Sequence, residues 1–283
     1  MRNDNVVALL GGLGNQLFQI AFGQWLERET ERTTVYDVSF LRASPPAILE
    51  IEFIGDYARE RILWSTRAWP TPDGRLGRLG RVMRRVPTKR AVLRDYSALG
   101  YSNPTIDHAA WWFGYWQRLH YTQLLLPRLA EALDCLSDQT RRPSIGVHVR
   151  RGDMVGLPAS VPARWFHVAL CHLGLATDTV LPVRVWSDDP DWCRKELRLG
   201  VPFEIAERAS AVEDMASLAR CTSLIISRST FSWWAARVAA ERGATIVYPT
   251  PWAANAANCD VEIIPPRWLP VTIAAAGVGY DPG

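Results

Sequence analysis

Cysteine is scarce and unpatterned in this chain. Cys135, Cys171, Cys193, Cys221 and Cys259 are scattered through 283 residues. No pair has the short spacing of zinc ligands, and an odd count cannot close into a complete disulfide framework. Reduced, buried thiols are the expected state. Long apolar runs are also missing. None approaches the ~20 residues of a membrane-crossing helix. Met1-Arg-Asn-Asp-Asn5 leads directly into the first apolar stretch, without the apolar core of a secretory signal. A cytoplasmic protein is the expectation. Charge of one sign is not in excess: 32 basic against 29 acidic residues give +3. A nucleic-acid partner is therefore not demanded. Two nucleotide-binding signatures fail as well. Gly11-Gly-Leu-Gly-Asn-Gln16 has Gln16-Leu17 where a dinucleotide loop needs its third glycine. No Gly-Lys-Ser/Thr follows to make a Walker loop.

What is present alternates between β and α patterns. Strands are expected near 6–10, 33–38, 145–149, 183–187, 223–227 and 245–248. Helices are expected near 190–199, 213–221 and 232–242, and another starts around Leu17. This rhythm predicts parallel sheets. The length suits two domains of moderate size, with a junction near Arg141-Arg-Pro143. The expected division is 1–140 and 141–283.

The most informative stretch is Ile145-Gly-Val-His-Val-Arg-Arg-Gly-Asp153. A buried strand ends abruptly in His148, Arg150, Arg151 and Asp153. Open α/β sheets bind ligands at that end. Arginine forks match phosphate oxygens two at a time. A surface Arg–Asp ion pair is the plainer alternative. Two other patches share the layout of strand, turn and helix. One is Gly11–Gln16 after the first strand. The other is Arg228-Ser-Thr-Phe-Ser-Trp-Trp-Ala-Ala236, whose Ser229, Thr230 and Ser232 suit either helix capping or a phosphate.

Between Arg75 and Arg94 lie seven Arg and one Lys with no acid. Apolar residues recur there at helical steps, which suggests a basic amphipathic helix. A solvated face is the favoured reading, and a dock for an anionic membrane surface or partner the sharper one. Most of the thirteen Trp residues are expected in the core. Trp116 and Trp233 are the better candidates for a sugar or base pocket.

Five segments, taken in order, resemble the bacterial α-1,2-fucosyltransferase family. They are Gly-Gly-Leu-Gly-Asn-Gln-Leu-Phe-Gln (11–19), Gly-Tyr-Trp-Gln (114–117), His-Val-Arg-Arg-Gly-Asp (148–153), Trp-Ser-Asp-Asp (186–189) and Ser-Thr-Phe-Ser-Trp-Trp-Ala (229–235). The likeness spans roughly residues 6 to 252. It implies an α/β enzyme of two facing Rossmann-like domains, the GT-B arrangement, that uses a GDP-sugar donor and requires no cofactor or metal. By this resemblance Arg150 holds the diphosphate, with Arg151 assisting or bracing the loop. Ser229, Thr230, Phe231 and Ser232 add donors. Gly12, Gly14, Asn15 and Gln16 face the sugar-phosphate. Guanine selectivity asks for a carboxylate, and Asp188, Asp189 and Asp214 are candidates; for Asp189 a helix cap is the competing role. For the base that deprotonates the acceptor, His148, Asp153 and Glu213 stay open.

The implied reaction is inverting α-1,2 transfer of an L-fucosyl or L-galactosyl group to a galactoside hydroxyl. An alternative on the same scaffold is a pyranose–furanose mutase acting on GDP-L-galactose or GDP-L-fucose. That reading would accommodate Mg or Mn, with Asp188 or Asp189 as an oxygen ligand. The chain departs from the family pattern at Arg228, at Met154 and at Ala235-Ala236. Those positions bear on acceptor and sugar specificity.

Overall fold

The computed structural model describes residues 4–41, 46–52, 54–63, 91–95, 110–136, 143–152, 155, 160–174, 181–207, 209–252 and 262–276. The chain divides into two units, the first ending at Leu125.

The first unit is built on a parallel sheet of β1 (Asn5–Ala8), β2 (Thr34–Asp37), β3 (Ile62–Leu63), β4 (Ala91–Asp95) and β5 (Ala110–Gly114). Their order is β3-β2-β1-β5-β4, so the strand order reverses between β1 and β5. All four residues of β1 are buried, as suits a strand covered on both faces. Helix α1 (Leu13–Thr30) packs on this sheet through Leu17, Phe18, Ile20, Ala21 and Phe22. It starts four residues earlier than its apolar pattern suggests. Gly12 is extended and its carbonyl accepts the N–H groups of Asn15 and Gln16. The glycine turn is therefore the helix cap, and Gly14 to Gln16 form the first turn. A short helix, α2 (Ile54–Arg59), precedes β3.

An aromatic cluster closes this unit's core. Phe22 stacks on Trp116 at 4.0 Å and meets Trp112 and Tyr121 edge-on at 5.4 and 4.9 Å. Each such pair is worth about 0.5–1.5 kcal/mol beyond its buried area. The cluster offsets two penalties at Trp116. Its φ of 53° lies in the left-handed region, which costs of order 1–3 kcal/mol for a bulky residue. Among the described residues, its buried Nε1 has no hydrogen-bond partner.

The second unit is a six-stranded parallel sheet of β6 (Ile145–Val149), β7 (Val183–Ser187), β8 (Glu204–Ile205), β9 (Ser223–Ile226), β10 (Thr245–Thr250) and β11 (Leu269–Thr272). The order is β11-β10-β9-β6-β7-β8. This is a doubly wound sheet whose order reverses between β6 and β9. Helix α3 (Leu126–Cys135) opens the unit. Helices α4 (Ala163–His172), α5 (Pro190–Glu196), α6 (Ala211–Leu218) and α7 (Thr230–Glu241) follow. On one face, Val147 and Val149 pack with Trp165 and Phe166 of α4. On the other, a Cβ at Gly146 would lie 2.8 Å from Cys221 Sγ. Only glycine lets the segment after α6 sit that close to the strand.

Several sequence expectations shift. Helix α3 belongs to the second unit, ahead of the 140/141 division, because Arg220 and Arg242 bond Asp134 and Arg242 also bonds the Ala130 carbonyl. Cys193 and Cys221 are buried thiols, but Cys135 and Cys171 are exposed on helix surfaces. The basic stretch from 75 to 90 lies outside the described residues. Its end, 91–94, is strand rather than helix, because β4 pairs in parallel with β5. Among the described residues, no helix is long and apolar enough to cross a membrane.

Candidate active site

At the reversal of the second sheet, the adjoining strands β6 and β9 bring His148, Arg150 and Ser227 together. His148, the penultimate residue of β6, is 6% exposed. Its Nδ1 lies 3.1 Å from Ser227 Oγ, and Ser227 Oγ also accepts the Arg150 N–H at 3.1 Å. The Ser227 N–H donates to the His148 carbonyl. One serine therefore ties the two strand ends together. Burial, reinforced by the Arg150 charge, lowers the His148 pKa to about 3. At neutral pH this imidazole is uncharged and a weak base. The structure thus gives it a bracing position rather than that of a proton acceptor.

Beyond the strand, Arg150 and Arg151 diverge. Arg150 Nη1 pairs with Asp188 Oδ2 at 2.9 Å and the side chain remains 37% exposed. Arg151 is held inward. Its backbone N–H donates to Asp188 Oδ1, its Nε to Asp189 Oδ2, and its guanidinium lies 3.8 Å over the Trp192 ring. Arg151 therefore braces the loop. Both oxygens of Asp188 are engaged by this loop. Asp189 caps α5 by accepting the Trp192 N–H. In this arrangement Asp188 organises the arginine loop and Asp189 starts the helix. A Cβ at Gly152 would lie 2.5 Å from Asp188 Oδ2, so glycine is what admits that carboxylate. Asp153 lies outside the described residues. Glu213 forms a capping box with Ser210 at the start of α6, and those hydrogen bonds hold its carboxyl below the usual range. It is a cap, not a base.

After β9 comes the N-terminus of α7. Ser229 occupies the cap position, yet its side chain makes no cap hydrogen bond. Thr230 and Phe231 are half-buried, and the Phe231 ring is 5.4 Å from that of His148. Ser232 is fully buried and donates to the Ser229 carbonyl. It serves the helix and not a ligand. The helix start presents backbone N–H groups and the positive end of its dipole beside the Arg150 strand, the arrangement that binds anions. Arg228 turns away to donate two bonds to the Pro251 carbonyl. It pins the end of β9 to the end of β10.

A cavity of about 480 Å3 opens beside this region, lined by Arg184, Trp186, Glu204, Glu207, Asp214 and Ser217 among others. Trp186 pairs in register with His148 across β6 and β7. The cavity therefore lies one strand out from the brace, on the same face. Of the three candidate carboxylates, Asp214 alone lines it.

In the first unit, Gly11 needs its left-handed φ of 70°, and a Cβ there would also strike Asn15. Gly12 is exposed, and a Cβ on it would meet nothing within 4 Å. Asn15 accepts a bond from Gln117 Nε2 at 3.0 Å. Gln16 is 3% exposed and engaged at both ends, donating to the Gly11 carbonyl and accepting the Ile48 N–H. It shapes the loop from inside and does not face a donor. Gly14 is buried in the first turn of α1. Trp116 and Trp233 are core residues at 2% and 0% exposure; the Trp233 indole N–H bonds the Ile263 carbonyl.

Ser227, Gly152, Arg184 and Tyr115 are not among the site candidates that the sequence singles out. Ser227 and Gly152 were visible only as the polar end of an apolar run and the middle of a loop motif. Arg184 lines the cavity and Tyr115 follows β5, placements that the sheets set and local sequence does not show.

Residues 113–271, more than half of the chain, match the model of glycosyl transferase family 11. The chain is 26% identical to an alpha-1,2-colitosyltransferase of Escherichia coli, over 93% of this chain and 97% of the relative. A galactoside 2-alpha-L-fucosyltransferase of Bos taurus is 34% identical over 38% of this chain and 31% of its own length. Among solved structures, a NodZ alpha-1,6-fucosyltransferase soaked with GDP-fucose aligns with a TM-score of 0.46 at 16% identity, covering 83% of this chain and 92% of that one.

Proposed function

Because this chain belongs to glycosyl transferase family 11, and so is a glycosyltransferase, we propose that it transfers an L-fucosyl-type group from a GDP-sugar to a galactoside hydroxyl in α-1,2 linkage. One observation carries this reading. The half-exposed guanidinium of Arg150 and the N-terminus of α7 leave adjoining strands at the reversal point of a doubly wound sheet. That is where such sheets bind nucleotide ligands. The relatives named for α-1,2 colitosyl and fucosyl transfer support the linkage and the sugar class.

In the proposed reaction the acceptor oxygen attacks the anomeric carbon, and the bond from that carbon to the β-phosphate oxygen breaks. Negative charge collects on the departing GDP. Arg150 and the Ser229–Phe231 turn stabilise it with charge-assisted and backbone N–H donors that are already oriented. Asp188 keeps Arg150 directed, and Arg151 with Trp192 keeps the loop in place. The guanine occupies the cavity between β7, β8 and α6. There the Asp214 carboxylate accepts the ring N–H and amino N–H that distinguish guanine. The acceptor proton goes to Asp153, since His148 and Glu213 are taken up structurally.

The test is product analysis with GDP-L-fucose and GDP-L-galactose, with and without a β-galactoside, and with and without a divalent metal. Release of GDP only when galactoside is present supports transfer. Conversion to an isomeric GDP-sugar without acceptor would replace transfer with the mutase reaction.

A further inference from the structure

We propose that Tyr115 is the aromatic platform on which the first unit seats the acceptor sugar. The proposal rests on the acceptor reading above and adds a residue to it. β1 and β5 are neighbours at the point where the first sheet reverses its order, and ligands of open parallel sheets collect at the carboxyl ends there. Two segments leave those ends, 11–16 and 114–117. Side-chain amides fix one against the other. Gln117 Nε2 donates to Asn15 Oδ1 at 3.0 Å. Gln19 donates to the Gly114 carbonyl at 2.9 Å and accepts the Leu10 N–H at 2.8 Å.

Between these anchors the backbone does something local packing does not ask for. Trp116 takes a φ of 53°, a conformation that suits glycine or asparagine. Its indole turns inward onto Phe22, and its buried Nε1 finds no hydrogen-bond partner among the described residues. A turn serving the fold alone would avoid both features. Backbone strain of this kind gathers at ligand sites. Its product here is the neighbouring residue: Tyr115 stands 40% exposed at the ligand end of the sheet. On the companion segment, Gly12 is exposed with open space where a side chain would be. That leaves room for a ring. A phenol held in this way offers a flat apolar face to the C–H side of a hexose and a hydroxyl to its polar edge.

The experiment compares the full-length wild type with Tyr115→Ala and Tyr115→Phe. Binding of methyl β-D-galactoside is read by saturation-transfer NMR, and stabilisation by GDP is read from the melting temperature. The galactoside dissociation constant should rise about tenfold or more in Tyr115→Ala and stay within about threefold in Tyr115→Phe, which keeps the ring. The GDP-induced shift should be the same in all three proteins. Unchanged galactoside binding by Tyr115→Ala overturns the platform, as does a wild type that binds no galactoside. A GDP shift lost in Tyr115→Ala also overturns it, since the ring would then serve the fold or the donor. Acceptor-dependent GDP release by the wild type is measured alongside. If that is absent while ring-dependent galactoside binding persists, the transfer reaction fails and the platform stands.

Discussion

Arg150 Nη1 stands 2.9 Å from Asp188 Oδ2, while the Arg151 N–H donates to the other oxygen of the same carboxylate at 2.8 Å. One aspartate from the end of β7 thus organises both arginines at the end of β6. Its effect on the two is unequal. Arg151 is drawn in under Asp189 and Trp192, and Arg150 is left 37% exposed. Two adjacent guanidiniums with identical chemistry acquire different work through their neighbours.

Arg150→Ala removes the guanidinium proposed to meet the diphosphate. The loss should be a few kcal/mol of transition-state stabilisation, or about a hundredfold or more in kcat/KM. The fold should survive, because a partly exposed pair contributes only about 0–1 kcal/mol. Steady-state rates with a melting curve check both halves. Near-normal turnover would remove the assignment.

Gly152→Ala tests the aspartate without touching either charge. The added Cβ would lie 2.5 Å from Asp188 Oδ2, so the carboxylate must swing away from Arg150. The expected outcome is a fall in kcat/KM of about tenfold or more with little change in melting temperature. An unaffected rate would show that Arg150 needs no such guidance.

His148 predicts an acid-side loss of stability. Its pKa is about 3 in the fold against 6.5 in an unfolded chain. Between those values the unfolded state binds more protons, so stability rises with pH. The contribution is fully present above about pH 6.5 and is lost as pH falls toward 3, by at most about 1.4 kcal/mol per pH unit. His148→Gln should flatten that slope in urea unfolding between about pH 4 and 6.5. An unchanged slope would place the histidine in a different environment.

Asp214→Asn should weaken recognition of guanine and spare the phosphates. The melting-temperature rise given by GDP should shrink, reflecting about a tenfold or greater loss of affinity. The small shifts given by UDP or ADP should stay as they were. Equal weakening of all three nucleotides would move Asp214 from the base to a general role.

Much of this architecture was legible along the chain. Strand β6 fell where its alternating Ile145, Val147 and Val149 predicted, and β7 and β9 likewise, because buried parallel strands read as apolar runs bounded by polar ends. The glycine turn, the paired arginines and the hydroxyl cluster before Trp233 each announced a strand end facing a helix start. Short strands such as β3 and β8 were not legible, since two residues carry no period.

What each polar residue does at those ends was decided only by the tertiary structure. Gln16, Arg151, Asp188, Asp189, Glu213 and Ser232 have the chemistry of ligand contacts, yet each is consumed by a neighbour within the fold. Hydrogen-bond partners far apart in sequence, such as His148 with Ser227 or Gln117 with Asn15, leave no mark in local composition. The sequence by itself determined the alternation of strand and helix, two sheets' worth of chain, and which strand ends would be polar. Local periodicity and steric preference suffice for that. Only packing decided which of those polar groups stay open to a ligand, because a buried group must find its partner inside the protein. Packing leaves the Arg150 guanidinium 37% exposed, the first turn of α7 beside it, and Asp214 lining the cavity.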